Sequence, residues 1–162
     1  MIDIGAGDSR LVDQLLVQGL DCIAVLDVSG AALQRARLRL GSNADRVDWI
    51  EADVTAEWSW KPADIWHDRA VFHFLTEPGD RARYHAHLKR VMKPGGSAII
   101  ATFALDGPAE CSGLPVVRYS PETLASELGA DFALVQSMAH GHQTPWDTTQ
   151  SFQYSRFVKH AE

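Results

Sequence analysis

The chain has 162 residues, 46% of them apolar and 22% charged, with a formal charge of −6 at neutral pH. That size and apolar share suffice for one domain with a buried core. The acidic balance excludes a general nucleic-acid binder, which needs a basic face, and no apolar run approaches the roughly 20 residues of a membrane span. Cys22 and Cys111 lie far apart in no metal or redox motif, and no signal peptide precedes the first apolar run. Two reduced thiols and a cytoplasmic location are the expectation.

Short apolar runs alternate with helical patterns along the whole sequence. Residues 1–4 read as a strand stub, and 8–19 as a helix with Leu11, Leu15, Leu16 and Leu20 at helical spacing and Gly19 as a stop. Residues 22–28 (CIAVLDV) form a continuous apolar strand. Ser29 then caps a helix through Leu40, which Gly41 closes. Its Arg35, Arg37 and Arg39 read as a solvated face. A third strand is expected over 47–54 and a fourth ending in DIWHDR at 64–69. A charged helix spans 80–92, and Lys93-Pro94-Gly95-Gly96 makes a sharp turn into a fifth strand at 97–103. The Gly- and Pro-rich stretch 106–119 reads as a loop, and Ser120-Pro121-Glu122 as the start of a helix. Two last strands, 132–139 and 151–159, are joined by a loop too short for a helix.

Strand and helix at this spacing predict an α/β fold: a doubly wound, mostly parallel seven-stranded sheet carrying a C-terminal antiparallel hairpin. Residues 1–162 are expected to form a single domain. Ligands of such sheets bind outside the carboxyl ends of the strands, where the strand order reverses.

Three successive strand ends carry matching chemistry. Gly5-Ala6-Gly7 permits a sharp turn and a close approach of ligand to backbone, and the following helix aims its first amides at the same space. Asp27, twenty residues after Gly7, ends the second strand where a carboxylate accepts from both hydroxyls of a ribose. Asp53 ends the third, where it can accept from an adenine amino group. Each feature alone is ordinary turn chemistry, whereas the three together point to an adenosine-type ligand.

In this order, IDIGAG, VLDVSGAALQRAR, EADV, DIWHDRAVFHFL and LKRVMKPGGSAIIATF resemble the successive motifs of the class I S-adenosylmethionine-dependent methyltransferases, with their Rossmann-like fold. The resemblance implies S-adenosyl-L-methionine as cofactor, with Gly5, Ala6 and Gly7 flanking its methionine part. It also implies Asp27 on the ribose with Val28 beside the adenine, and Asp53 and Val54 on the adenine edge and face. His67, Asp68 and Arg69 would lie along the methionine end and the methyl-transfer site. The methyl acceptor would be a small molecule or a protein side chain. Two departures stand out: Ser9 replaces the third glycine, and the helices that members carry before the first strand have no counterpart ahead of Met1. An open pocket, weakened cofactor affinity and a homodimer across the bare face are the corresponding expectations.

Methyl transfer is an in-line displacement that depends chiefly on positioning, and a base serves only when the acceptor must lose a proton. His67 with Asp68, and His73, are the candidates, with a packed core histidine as the other reading of His73. Trp146 and His142, in the connection between the last two strands, are candidate substrate contacts. His140 and His142 could share a face, but no third metal ligand is near them in sequence, and no metal site is expected. Two readings of other classes stand beside methyl transfer. Gly7-Asp8-Ser9 resembles the nucleophile block of GDSL/SGNH hydrolases and would make Ser9, with His67, an esterase-like site, although the Gly-x-Asn-Asp block of that family is missing. A cofactor-binding module without turnover is the other.

Overall fold

All five residues of Ile23–Asp27 are buried, as in a strand inside a parallel sheet covered on both faces. The computed structural model describes residues 1–144 and 147–161. Its main sheet has β1 (Ile2–Ile4), β2 (Ile23–Asp27), β3 (Val47–Glu51), β4 (Ala63–Arg69), β5 (Met92–Phe103), β8 (Phe132–Gln143) and β9 (Thr149–Lys159). Between β5 and β8 lies a small separate hairpin, β6 (Glu110–Cys111) with β7 (Leu114–Pro115). The seven strands run in the order β3-β2-β1-β4-β5-β9-β8. Neighbours are parallel from β3 through β5, and β9 is antiparallel to both β5 and β8. This is the expected seven-stranded α/β sheet with its terminal hairpin. The strand order reverses between β1 and β4, so the ligand crevice of the fold opens there.

Strand alternation sorts the two layers. Ile2, Ile4, Ala24, Leu26, Trp66, Ala98, Ile100 and Phe157 face α3 (Pro78–Val91) and α4 (Pro121–Leu128), whose Tyr84, Leu88, Leu124 and Leu128 complete the larger core. On the other face Ile23, Val25 and Val47 pack on α1 (Leu11–Val17) and α2 (Gly30–Leu40) through Val12, Leu16 and Leu33. Ser29 caps α2 by accepting from the Ala32 amide, and Gly41 ends it. Ser120 and Thr123 form a reciprocal capping box on α4.

Helix α1 begins at Leu11 rather than Asp8, because the Asp8 carboxylate pairs with Arg35 of α2 instead of capping a helix. The Lys93–Gly96 turn is absorbed into β5 as a bulge: Ala63 pairs with Met92 and Ile65 with Ser97. The terminal hairpin is longer than its apolar pattern suggested, running to Gln143 on one side and from Thr149 on the other. His140 and His142 therefore stand in a strand and not in a loop. Past α1 and α2, the second face is open. A hollow lined only by strand residues, among them Ile99, Met138, Tyr154 and Arg156, lies over β5, β9 and β8.

Candidate functional site

Two cavities meet at the strand ends and share Ile4 and Gly5. The first encloses about 350 Å³ between the ends of β1, β2 and β3 and the segment after β4. Gly5 takes φ +63°, and its amide donates to Leu26 O at 2.7 Å, so the chain leaves β1 in a left-handed turn. Asp27 lines the cavity, is 8% exposed, and is fixed through both oxygens: Oδ2 accepts from the Gly7 amide (2.7 Å) and Oδ1 from the Ser29 amide (2.8 Å). The twenty-residue interval between Gly7 and Asp27 is thus a direct contact. Each carboxylate oxygen keeps lone-pair capacity for a ligand.

Val28 lines the same cavity and is 72% exposed, an apolar side chain left open at its mouth. Across from it, Asp53 Oδ1 accepts both from the amide and from the hydroxyl of Thr55, each at 2.7 Å. Those bonds, the amide's foremost, hold the Asp53 carboxyl below its ordinary pKa and leave Oδ2 for a ligand. Val54 is buried behind it. Ala70, Val71, Phe74 and Leu75 form the opposite wall. Open apolar Val28, buried Asp27 and the bare turn at Gly7, where an added Cβ would meet nothing closer than 3.7 Å, fit an adenosyl group.

The second cavity, about 410 Å³, lies on the α1 side and is lined by Asp3, Ala6, Ser9, Arg10, His67 and Arg69 among others. Within it His67 Nδ1 lies 2.7 Å from Asp3 Oδ1. Burial alone would lower the pKa of His67, but the hydrogen bond and charge of Asp3 outweigh it and the net shift is upward. Arg69 donates through Nε to the Tyr154 hydroxyl (3.1 Å) and rests over the Phe152 ring.

One expectation from sequence is corrected here, and two alternatives left open there are resolved. Asp68 is not the partner of His67: strand alternation turns it to the opposite face, fully buried, and it lines neither cavity. It accepts from the Tyr84 hydroxyl (2.6 Å) and from the amides of Val71 (2.9 Å) and Phe72 (3.1 Å), so it anchors the wall instead of touching a ligand. Burial pushes its pKa up to about 6. His73 is the packed core residue, fully buried against Phe74 and Phe103 with Nδ1 accepting from the Phe103 amide. Burial takes its pKa down to about 4. Ser9 shares the second cavity, but its hydroxyl accepts from the Leu11 amide and has no bond to His67, whose Nδ1 is held by Asp3. The esterase reading finds no support.

His142 pairs with Gln150 at the same end of the sheet, edge-on to Phe152, and lines neither cavity. Trp146 lies outside the described residues. Among the described residues, no group of three or more His, Cys, Asp or Glu is arranged to hold a metal ion.

The sequence reading missed Asp3 and Tyr84. Asp3 carried one signal, an acid between two isoleucines of a buried strand. Tyr84 carried none beyond its place on a charged helix.

Comparison with known proteins agrees with this geometry. A family model described as a methyltransferase domain matches residues 2–98. No curated protein matches the sequence. Among solved structures, the N-methyltransferase NodS from Bradyrhizobium japonicum WM9 aligns at TM-score 0.76 and 18% identity, covering 99% of this chain and 85% of that one. The 1,6-didemethyltoxoflavin-N1-methyltransferase of Burkholderia thailandensis gives 0.76 and 21%, covering 99% and 70%. An S-adenosylmethionine-dependent methyltransferase of Methanosarcina mazei gives 0.79 and 14%, covering 99% and 92%. With sheet, turn and strand-end carboxylates in agreement, the chain belongs to the class I S-adenosylmethionine-dependent methyltransferases.

Proposed function

We propose that the first cavity holds the adenosyl part of S-adenosyl-L-methionine, and that the second takes its methionine end together with the methyl acceptor. When bound, the cofactor supplies a methyl group on a positively charged sulfur, activated for displacement. Gly5, Ala6 and Gly7 give it bare backbone, Asp27 takes the ribose hydroxyls, and Val28, Asp53 and Val54 enclose the adenine. His67 and Arg69 line the acceptor side, while Asp68 and His73 act on the scaffold behind it. A single S-adenosylmethionine-binding domain over residues 1–162 fits this arrangement. The observation that carries the reading is the Asp27 carboxylate, fixed at both oxygens and placed at the cavity beside an exposed Val28.

Asp27→Ala is expected to weaken S-adenosylhomocysteine binding by about 1–3 kcal/mol, measured by titration calorimetry, through lost ligand contacts and released Gly7 and Ser29 amides. Affinity unchanged in that variant would sink the ribose assignment.

A small-molecule acceptor is supported by one of the similar structures, the 1,6-didemethyltoxoflavin-N1-methyltransferase, whose name gives a small molecule as its acceptor, and a protein side chain is the other acceptor class. The formal charge of −6 speaks against nucleic acid as a general partner. Two unpaired cysteines, Cys22 exposed, support a cytoplasmic location, and no helix among the described residues is long and apolar enough to cross a membrane. The open strand-lined hollow, with Met138 56% exposed at its edge, supports a homodimer through that face. Light scattering is expected to return twice the 17.8 kDa chain mass, and Met138→Asp to halve it. A wild-type protein of single-chain mass would refute the dimer.

A further inference from the structure

Strand register sets Asp3 of β1 directly opposite His67 of β4. The Asp3 side chain is 3% exposed; its Oδ1 meets His67 Nδ1, while Oδ2 is buried with no hydrogen-bond partner among the described residues. An unpartnered carboxylate oxygen in a buried strand is costly, and an apolar residue would avoid it. What the carboxylate adds is a negative charge beside one imidazole. With Nδ1–H donated to Asp3, the ring's lone pair lies on Nε2, which has no hydrogen-bond partner among the described residues and is not buried, in a ring that lines the second cavity.

We propose that Asp3 and His67 form a proton-accepting pair for the methyl acceptor. In this pair His67 Nε2 removes the proton and Asp3 is the positioning residue that fixes the tautomer and holds the imidazolium. The inference rests on the cofactor assignment above, because the second cavity adjoins the first through Ile4 and Gly5. It narrows the acceptor to a heteroatom that carries a proton, an ammonium or a hydroxyl, and away from a thioether or carboxylate, whose lone pair needs no base. The N–H or O–H bond breaks and its electron pair forms the bond to the methyl carbon. The proton ends on Nε2, and the carbon–sulfur pair stays on sulfur. Around the imidazole, Asp8 and Arg10 of the turn after β1 and Arg69 of β4 line the same cavity. Uncharged Ile99 is its neighbour on β5, with Arg156 of β9 beyond.

The test needs no acceptor. In the full ¹⁵N-labelled chain, long-range ¹H–¹⁵N spectra across pH give the tautomer and titration of each histidine, with His67→Gln identifying the His67 signals. The neutral ring is expected to be the Nδ1–H tautomer. In Asp3→Asn, titration is expected to move down by about one pH unit, with mixed tautomers. A neutral ring protonated on Nε2 in the wild type overturns the proposal, and where His67→Gln does not fold, backbone-to-side-chain connectivities in the ¹³C,¹⁵N-labelled wild type identify the His67 signals. An unmoved titration in Asp3→Asn overturns it too. If the wild type fails to bind S-adenosylhomocysteine, the cofactor assignment falls while the spectra still decide the pair.

Discussion

Gly5→Ala is expected to abolish measurable S-adenosylhomocysteine binding and to lower unfolding stability by about 2–4 kcal/mol. Two separate penalties converge on this position. With φ at +63°, an alanine would sit in the left-handed region, at roughly 1–2 kcal/mol. Its Cβ would lie 2.0 Å from Val71 Cγ2, and Val71 cannot simply yield, because its amide is tied to Asp68 at 2.9 Å. Either Val71 is driven into the first cavity or β1 shifts away from it. The two penalties can be measured apart. Gly5→Ala with Val71→Ala removes the collision and keeps the backbone strain, so calorimetry and denaturant unfolding should show part of both losses recovered. Gly7→Ala is the comparison: it also has positive φ, at +50°, but its Cβ would meet nothing nearer than Asp27 Oδ2 at 3.7 Å. A loss of about 1 kcal/mol is expected there. Equal losses in Gly5→Ala and Gly7→Ala would show that Val71 plays no part.

The same turn marks the boundary of what could be read from sequence. Gly5, Gly7, Asp27 and Asp53 were legible as neighbours at one end of the sheet because they end or follow three successive apolar runs. In a parallel α/β sheet, strand ends converge whatever the sheet's finer geometry. Pairings between sites remote in sequence were not legible. His67 had an acid beside it in sequence, Asp68, and another 64 residues away, Asp3. Choosing between them requires that β1 and β4 be neighbours in one particular register. Alternation along a strand argues against Asp68 as partner, since adjacent residues point to opposite faces. The apolar segment AVFHFL posed the same difficulty in another form. Its Val71 and Phe74 became cavity wall and its His73 core, a division set by a short 3₁₀ turn over Phe72–Phe74 that apolar patterning does not encode. His140 and His142 were misplaced because their polarity suggested a loop, whereas an edge strand tolerates polar residues on its solvent side.

Asp68→Ala is expected to destabilise the protein by about 2–4 kcal/mol at pH 7 and to weaken cofactor binding on the order of tenfold, although the carboxylate touches neither cavity. Its loss strands three donors at once: the Val71 and Phe72 amides and the Tyr84 hydroxyl, which itself accepts from Trp66 Nε1 at 2.8 Å. It also releases Ala70, held at φ +69° in the same turn, a strained conformation that persists only while its surroundings enforce it. Val71, Phe74 and Leu75 would then lose their fixed place on the cavity wall. The pH dependence separates this account from a mere packing defect. Burial raises the folded-state pKa of Asp68 to about 6 from an ordinary 3.8, so between those values the folded protein holds a proton that the unfolded chain has released. The stability this group contributes is therefore complete below about pH 3.8 and declines as pH rises towards 6, by about 3 kcal/mol in all. Asp68→Asn cannot titrate and has no such decline. Its deficit relative to wild type, followed by urea unfolding, should be largest near pH 4 and narrow by about 3 kcal/mol by pH 7. His73 runs in the opposite sense: its folded pKa of about 4 lies below the ordinary 6.5, so its contribution is lost as pH falls from 6.5 towards 4. His73 is present in both proteins and cancels from the difference. A deficit that stayed constant with pH would mean that Asp68 remains ionised throughout. The wall would then be anchored by a fixed charge and not by a carboxyl poised to take up a proton.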